Sequence, residues 1–176
     1  KLIPLANIIN DGFLSVGGAG IGAVMGSKNL KAIAVKGDHS LTVADGNRFA
    51  QVVTTLTNKL NSAPMTSQSM SAWGSAFFVG LCYQKGILPW NNFQTASFRE
   101  SKVVGTGALE NAFSLRSRGC FACPIACIKK TDADNPLFKG KGMAPTYLAI
   151  GALGLNCGIT DLTIIGMANM ICAEMG

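Results

Sequence analysis

Three cysteines fall within eight residues, Cys120-Phe-Ala-Cys123-Pro-Ile-Ala-Cys127, a C-x2-C-x3-C spacing. Thiolates bind soft metals strongly, and three so close in the chain can converge on one polynuclear centre. Ala122 and Ala126 are small enough to let backbone wrap an inorganic cluster and present N–H groups to it, and Pro124 stiffens the loop. The flanking Arg116, Arg118, Lys129 and Lys130 favour the thiolate form and offset cluster charge. An iron–sulfur cluster is the leading reading. Disulfides compete poorly, because three adjacent cysteines do not pair neatly and no secretory layout is present. Structural zinc usually shows separated Cys or Cys/His pairs, and the one histidine, His39, is remote and reads as a loop residue. The spacing is neither the C-x3-C-x2-C of radical-SAM enzymes nor the C-x2-C-x2-C of bacterial ferredoxins.

A cluster of this kind needs a fourth ligand. Cys157, Cys172 or a cysteine beyond Gly176 are the candidates, while Cys82 and Cys172 sit in apolar contexts that read as buried small hydrophobes. The second stretch able to do chemistry is Gly17-Gly18-Ala19-Gly20-Ile21-Gly22-Ala23-Val24-Met25-Gly26-Ser27-Lys28. It has neither the P-loop order nor the dinucleotide-binding spacing. Consecutive glycines still free backbone N–H groups to face an anion, with Ser27 and Lys28 able to join, and the competing reading is a tight turn between packed elements. Asp11 lies near this turn; Glu100 and Glu110 read as surface carboxylates.

The elements that must hold these residues can be sketched from periodicity. Residues 1–10 read as an extended, largely buried segment, 11–27 as turn-rich, and Leu30–Val35 as a strand ended by Gly37-Asp38. Asp45 can cap a helix with Phe49, Val52, Val53, Leu56 and Leu60 on one face, followed by Pro64. Residues 65–88 hold short helices, 89–93 a loop, and Ala108–Arg116 a helix. Thr160 can cap a last helix striped by Ile164, Ile165, Ala168, Ile171, Cys172 and Met175. The expected class is α+β, with β-type structure over 1–40 and mainly helical structure over 41–176.

Composition narrows the function classes. The 176 residues are 48% hydrophobic and 14% charged, which excludes intrinsic disorder. Mean hydropathy is +0.32, yet no apolar run approaches the roughly 20 residues of a membrane span. The net charge of +6 suits an anionic partner or a phosphate, and the bases are too scattered for nucleic-acid binding. No initiator Met leads the chain and a helical pattern runs to its end, so the reading is a piece of a longer protein, buried on several sides.

Both chemical stretches together resemble one family, the tungsten-dependent aldehyde:ferredoxin oxidoreductases. Gly22 to Ile33 is similar throughout to the family's G-A-V-M-G-S-K-N-L-K-A-I, and Cys120, Cys123 and Cys127 to its C-x2-C-x3-C. Leu88-Pro89-x-x-Asn92-Phe93 and Ala152-Leu153-Gly154-x-Asn156-Cys157-Gly158-Ile159 resemble two further landmarks, in the family's order. The resemblance implies a tungsten (or molybdenum) bis-pterin beside a [4Fe-4S] cluster. Residues 1–40 would be the C-terminal end of a β-rich pterin-binding domain and 41–176 a truncated helical domain carrying the cluster cysteines. Cys120, Cys123 and Cys127 would ligate iron, with the family's fourth cysteine far downstream. The backbone of Ser15, Gly17, Gly18 and Gly20 would lie against pterin.

By the same resemblance, electrons pass between the metal-pterin and the cluster. They exchange with a ferredoxin or an iron–sulfur subunit, in the cytoplasm of an anaerobe, within a homo-oligomer or multi-subunit complex acting on a small-molecule substrate. Two departures stand out. Gly17-Gly18-Ala19-Gly20 lacks the Arg of the family's G-R-G-G, and Pro145-Thr146-Tyr147-Leu148 lacks both Glu of its P-E-Y-E. The departures leave the reaction open between aldehyde oxidation and carboxylic acid or aromatic-ring reduction. In the ring-reducing branch Cys157 is the candidate tungsten ligand, against a buried cysteine packing under the cofactor. The rival reading is an iron–sulfur electron-transfer subunit without metal-pterin, and a zinc-structured domain is a third.

Overall fold

The computed structural model describes residues 3–10, 14–94, 104–135 and 138–175, with backbone alone over 132–141. The chain forms two compact units, 1–51 with 171–176, and 52–170. Its mixture of helices and small antiparallel sheets makes the class α+β.

In the first unit, β1 (Ile8–Asn10) and β2 (Leu14–Val16) pair antiparallel, Ile8 opposite Val16. No residue of 3–10 is fully buried, against the expectation of a buried segment, because a two-stranded ribbon has little surface to hide. Part of the stretch read as turns is the short helix α1 (Ile21–Ser27). It ends on Asn29 at φ 55°, the left-handed position Asn tolerates, and the Asn29 and Leu30 N–H groups close onto the Gly26 and Met25 carbonyls. Leu30–Val35 is not a strand. It has no ladder partner among the described residues, and Ile33 and Val35 are exposed. Alternation makes a segment fit for a sheet, but a hydrogen-bonding neighbour makes it a strand.

Helix α2 (Gly46–Ser62) starts as expected, with the Asp45 carboxylate accepting from the Arg48 N–H at 2.9 Å. Its apolar face, Phe49, Val52, Val53 and Leu56, is exposed. The second unit continues with an irregular helical run: a π turn Met65–Met70, α3 (Ser71–Trp73), a 3-10 turn Gly74–Phe77 and α4 (Phe78–Gln84). Helix α5 covers Thr106–Ala112 and stops before the predicted end, since Leu115 and Arg116 belong to strand β3 (Leu115–Arg118). Sheet pairing overrides the local helical pattern there.

Strand β3 pairs with β4 (Ile128–Asn135), and β4 with β5 (Phe138–Met143), so the segment read as helical also carries a three-stranded antiparallel sheet. Helix α6 (Tyr147–Ala149) runs through a π turn (Ile150–Gly154) and a 3-10 turn (Leu155–Cys157), and α7 spans Leu162–Met175. The cap of α7 is Asp161 rather than Thr160: its carboxylate accepts from the Thr163 and Ile164 N–H groups at 2.8 and 3.3 Å. The buried residues of α7 are Leu162, Ile165 and Gly166, while Ile164, Ile171, Cys172 and Met175 are exposed. The helix is apolar almost all round, so periodicity alone does not single out its inner face.

The core of this unit gathers Val79, Leu88, Val104, Leu109, Phe113, Ile150, Leu155 and Ile165. Burying each large aliphatic among them contributes about 1.5–3 kcal/mol before entropy is counted. Among the described residues no single helix is long and apolar enough to cross a membrane. A pair that is, Tyr147–Cys157 with Leu162–Met175, bends by 116°.

Candidate metal centre and its surroundings

The antiparallel pairing of β3 and β4 brings Arg118 opposite Ile128, so the connection 119–127 is a loop closed at its base. All three clustered cysteines sit on this hairpin tip. Cys120 is exposed and Cys123 and Cys127 half-buried, all as free thiols. The Cys123 N–H donates to the Cys120 carbonyl at 3.0 Å, which makes the first turn. Ala122 and Ala126, the residues just before Cys123 and Cys127, stand at φ 54° and 51°. A left-handed alanine is uncommon and strained, and it turns successive N–H groups towards one side, the geometry that receives anions.

Among the described residues no three His, Cys, Asp or Glu side chains stand together as donors to a metal ion. A polynuclear cluster puts each thiolate on a different iron, wider apart than donors to one ion. Three thiol donors on one loop and the two left-handed alanines are compatible with an iron–sulfur cluster.

The wall behind the loop is a pair of residues that motif reading does not single out as a unit. Gly74, at φ 60° and ψ −153°, lies so close to the loop that a Cβ there would stand 2.4 Å from the Cys127 carbonyl oxygen. Lys129 is only 5% exposed. Its Nζ donates to the Ser71 carbonyl and, at 2.5 Å, to Ser117 Oγ, which itself donates to Ser71 at 3.2 Å. Burial pushes the Lys129 ammonium below its ordinary range, and the charge of Cys127 opposes that shift. An isolated glycine inside a helical stretch, Ser71 to Phe78, is the one sequence signal for Gly74. Arg116 and Arg118 are exposed and Lys130 half-buried.

Two stretches far apart in sequence meet around Cys157. The Asn91 N–H donates to the Leu155 carbonyl at 3.0 Å, and a Cβ on Gly158 would lie 2.7 Å from Asn91 Oδ1. Asn91, Asn92 and Phe93 are consecutive left-handed residues. The Asn156 side-chain oxygen is buried without a hydrogen-bond partner among the described residues. Cys157 is exposed, and its thiol donates to the Ala152 carbonyl at 3.4 Å. Cys172 is also exposed, not the buried hydrophobe expected, whereas Cys82 is half-buried against the core. The Tyr147 phenol is pushed up to about 12, first by a hydrogen bond with the Cys82 side chain, then by burial and by the charge of Cys82. Thr146, at a Glu position of the resembled motif, uses its hydroxyl to cap α6 through the Ala149 N–H at 3.3 Å. Leu148, at the other Glu position, is exposed.

In the first unit, Ser15, Gly17 and Gly18 are exposed and Gly20 is buried. Gly20, at φ 65°, closes on the Pro4 carbonyl, 2.1 Å from where a Cβ would be, and Gly17 meets the Asn7 side chain. Packing thus accounts for those two glycines. Gly18, at φ 100°, has nothing within 4 Å of its Cβ position and keeps an open face. A cleft of about 380 Å³ lies beside α1, lined by Ile3, Pro4, Ala6, Gly22, Ala23, Gly26 and Ser27. His39 is exposed with Asp38 at 3.2 Å, and Glu110 Oε1 accepts from the Trp73 indole at 2.5 Å. Asp11 and Glu100 lie outside the described residues.

Residues 51–176 match the family described as aldehyde ferredoxin oxidoreductase, domains 2 and 3, and residues 1–37 its N-terminal domain. The chain is 38% identical to the tungsten-containing aldehyde ferredoxin oxidoreductase of Pyrococcus furiosus, over all of this chain and 29% of that protein. It is 39% identical to the Thermococcus kodakarensis protein of the same description, with the same coverage. An aliphatic sulfonate oxidoreductase, WOR-like subunit, of P. furiosus is 28% identical over 92% of this chain and 26% of that protein. The chain thus spans under a third of the length of these relatives.

Proposed function

Because the chain belongs to the aldehyde ferredoxin oxidoreductase family, an oxidoreductase family, we propose that it is the part of a tungsten-pterin oxidoreductase that holds the cysteine loop of a [4Fe-4S] cluster. Cys120, Cys123 and Cys127 each hold one iron, and the fourth ligand comes from a cysteine outside residues 1–176. The observation that carries this reading is the closed hairpin tip with a left-handed alanine immediately before Cys123 and again before Cys127. That geometry sets thiolates and N–H groups on a rigid base, which favours an anionic inorganic core.

On this reading residues 1–40 close the pterin-binding domain and 41–176 carry the cluster. The exposed backbone of Ser15, Gly17 and Gly18 lies against pterin, with buried Gly20 shaping the bend beneath them. The exposed thiol of Cys157 is assigned to the tungsten (or molybdenum) side. When bound, the metal-pterin supplies low-potential two-electron chemistry and the cluster supplies one-electron relay. The chain's own residues orient and insulate. The capping hydroxyl of Thr146 and the exposed Leu148 put no carboxylate at the two motif positions, so a proton donor or acceptor comes from elsewhere in the protein. The reaction class is aldehyde oxidation or the reduction of a carboxylic acid or aromatic ring. The electron partner is a ferredoxin or iron–sulfur subunit, which the net charge of +6 favours if that partner is acidic. Reduced thiols and such chemistry belong in an anaerobe's cytoplasm.

The test is metal analysis and EPR on the full-length protein purified without oxygen. Iron and tungsten are expected together, with iron lost in Cys123→Ala. An iron-free preparation with full activity refutes the reading, and iron without tungsten or molybdenum favours a plain electron-transfer subunit.

A further inference from the structure

Residues 115–131 hold Arg116, Arg118, Lys129 and Lys130 and no Asp or Glu. The β3–β4 ladder sorts these bases. Arg116 stands directly opposite Lys130, and Arg118 follows two residues on, so these three belong to one face of the ribbon. Ser117 and Lys129 belong to the other face, and both reach Ser71 there. Further from the loop the register sets Asp132 opposite Lys141 and Asp134 opposite Lys139, so that end of the sheet is balanced in sign. Positive charge is therefore gathered at the end of the ribbon that carries the cysteine loop.

Like charges directly opposite one another destabilise a strand pair. Arg116 and Lys130 bear that cost at the base of a loop without acidic residues, a pattern that fits an anionic surface landing on this face. Arg116 and Arg118 are exposed and Lys130 half-buried, and at the tip Phe121 is exposed beside the exposed Cys120. Aromatic residues and Arg are enriched where proteins dock, and rim charge steers the approach. Each of the three cations also interacts within the chain. An internal partner does not exhaust a guanidinium's five donors or an ammonium's three.

We propose that Arg116, Arg118 and Lys130, with Phe121 as the apolar centre, form the docking surface for an acidic electron-carrier protein. The inference rests on the assignment of Cys120, Cys123 and Cys127 to a [4Fe-4S] cluster. Docking brings the carrier's redox group up to the cysteine loop. One electron passes between carrier and cluster at each encounter, one being oxidised as the other is reduced, and no bond is made or broken.

The experiment measures binding of a purified ferredoxin of net negative charge to the full-length protein, purified without oxygen, by calorimetry at about 50 mM and about 500 mM salt. Iron content is measured alongside. The double variant Arg116→Gln, Arg118→Gln is expected to bind about tenfold more weakly at low salt and within about twofold of wild type at high salt. Phe121→Ala is expected to weaken binding about tenfold at both. The control, Lys59→Gln with Lys85→Gln, removes the same charge from two exposed lysines elsewhere and is expected to bind as wild type. If the double arginine variant loses iron, Lys130→Gln and Phe121→Ala decide the matter. Wild-type binding in the variants of the face, as when the rest of the chain covers it, overturns the inference. So does an equal loss in the lysine control, or an iron-replete wild type that does not bind. A wild-type protein without iron overturns instead the cluster assignment on which the inference rests.

Discussion

Gly74→Ala tests how the helical wall shapes the cysteine loop. The native residue sits at φ 60° and ψ −153°, a region that essentially only glycine occupies. Forcing another residue there costs about 1–3 kcal/mol. The added methyl would also stand 2.4 Å from the Cys127 carbonyl oxygen, about an ångström inside ordinary contact. Overpacking of that size costs about 1–3 kcal/mol. One backbone shift relieves part of both strains, so the expected loss is about 2–4 kcal/mol, read as a lowered temperature of thermal unfolding. The shift must move Cys127 or the Ser71–Gly74 segment, so iron content should fall as well. The control is Gly80→Ala on α4, where a Cβ has nothing within 4 Å and helix propensity predicts a gain of about 0.5–1 kcal/mol. Thermal unfolding and iron analysis of both variants in the full-length protein decide it. A Gly74→Ala protein that melts with wild type and carries full iron refutes the reasoning.

Two further outcomes follow from the geometry. In the full-length protein with ring-labelled tyrosine, the NMR signal assigned to Tyr147 by its loss in Tyr147→Phe should titrate only as pH nears about 12. Because that value is raised above 10.0, the neutral phenol contributes stability that is full below pH 10 and fades as pH rises towards 12. Cys82→Ala should move the titration back towards the ordinary range, and an unchanged midpoint refutes the role of the Cys82 hydrogen bond. Asp161→Ala should remove the α7 cap and lower stability by about 1 kcal/mol in denaturant unfolding, whereas Thr160→Ala should change little; the reverse order would reject the cap assignment.

The sequence by itself determined the parts whose cause is local. Asp45 begins α2 because a short carboxylate can reach an N–H three residues on, and that reach depends on no distant residue. The cysteine spacing and the Gly22–Ile33 stretch are likewise properties of the chain, and they are enough to point to the family. Only the tertiary structure decided what those residues rest on. Leu30–Val35 alternates like a strand but has no partner among the described residues, while Leu115 and Arg116 leave a helical pattern because β4 pairs with them. The placement of Cys120–Cys127 at a hairpin tip depends on β3 pairing with β4, and Gly74 against Cys127 and the contacts of Lys129 depend on the Ser71–Gly74 segment closing onto residues far downstream. Local pattern reports what a residue can do within a turn or two of chain; a buried charge and a forbidden methyl exist only once remote backbone has arrived beside them.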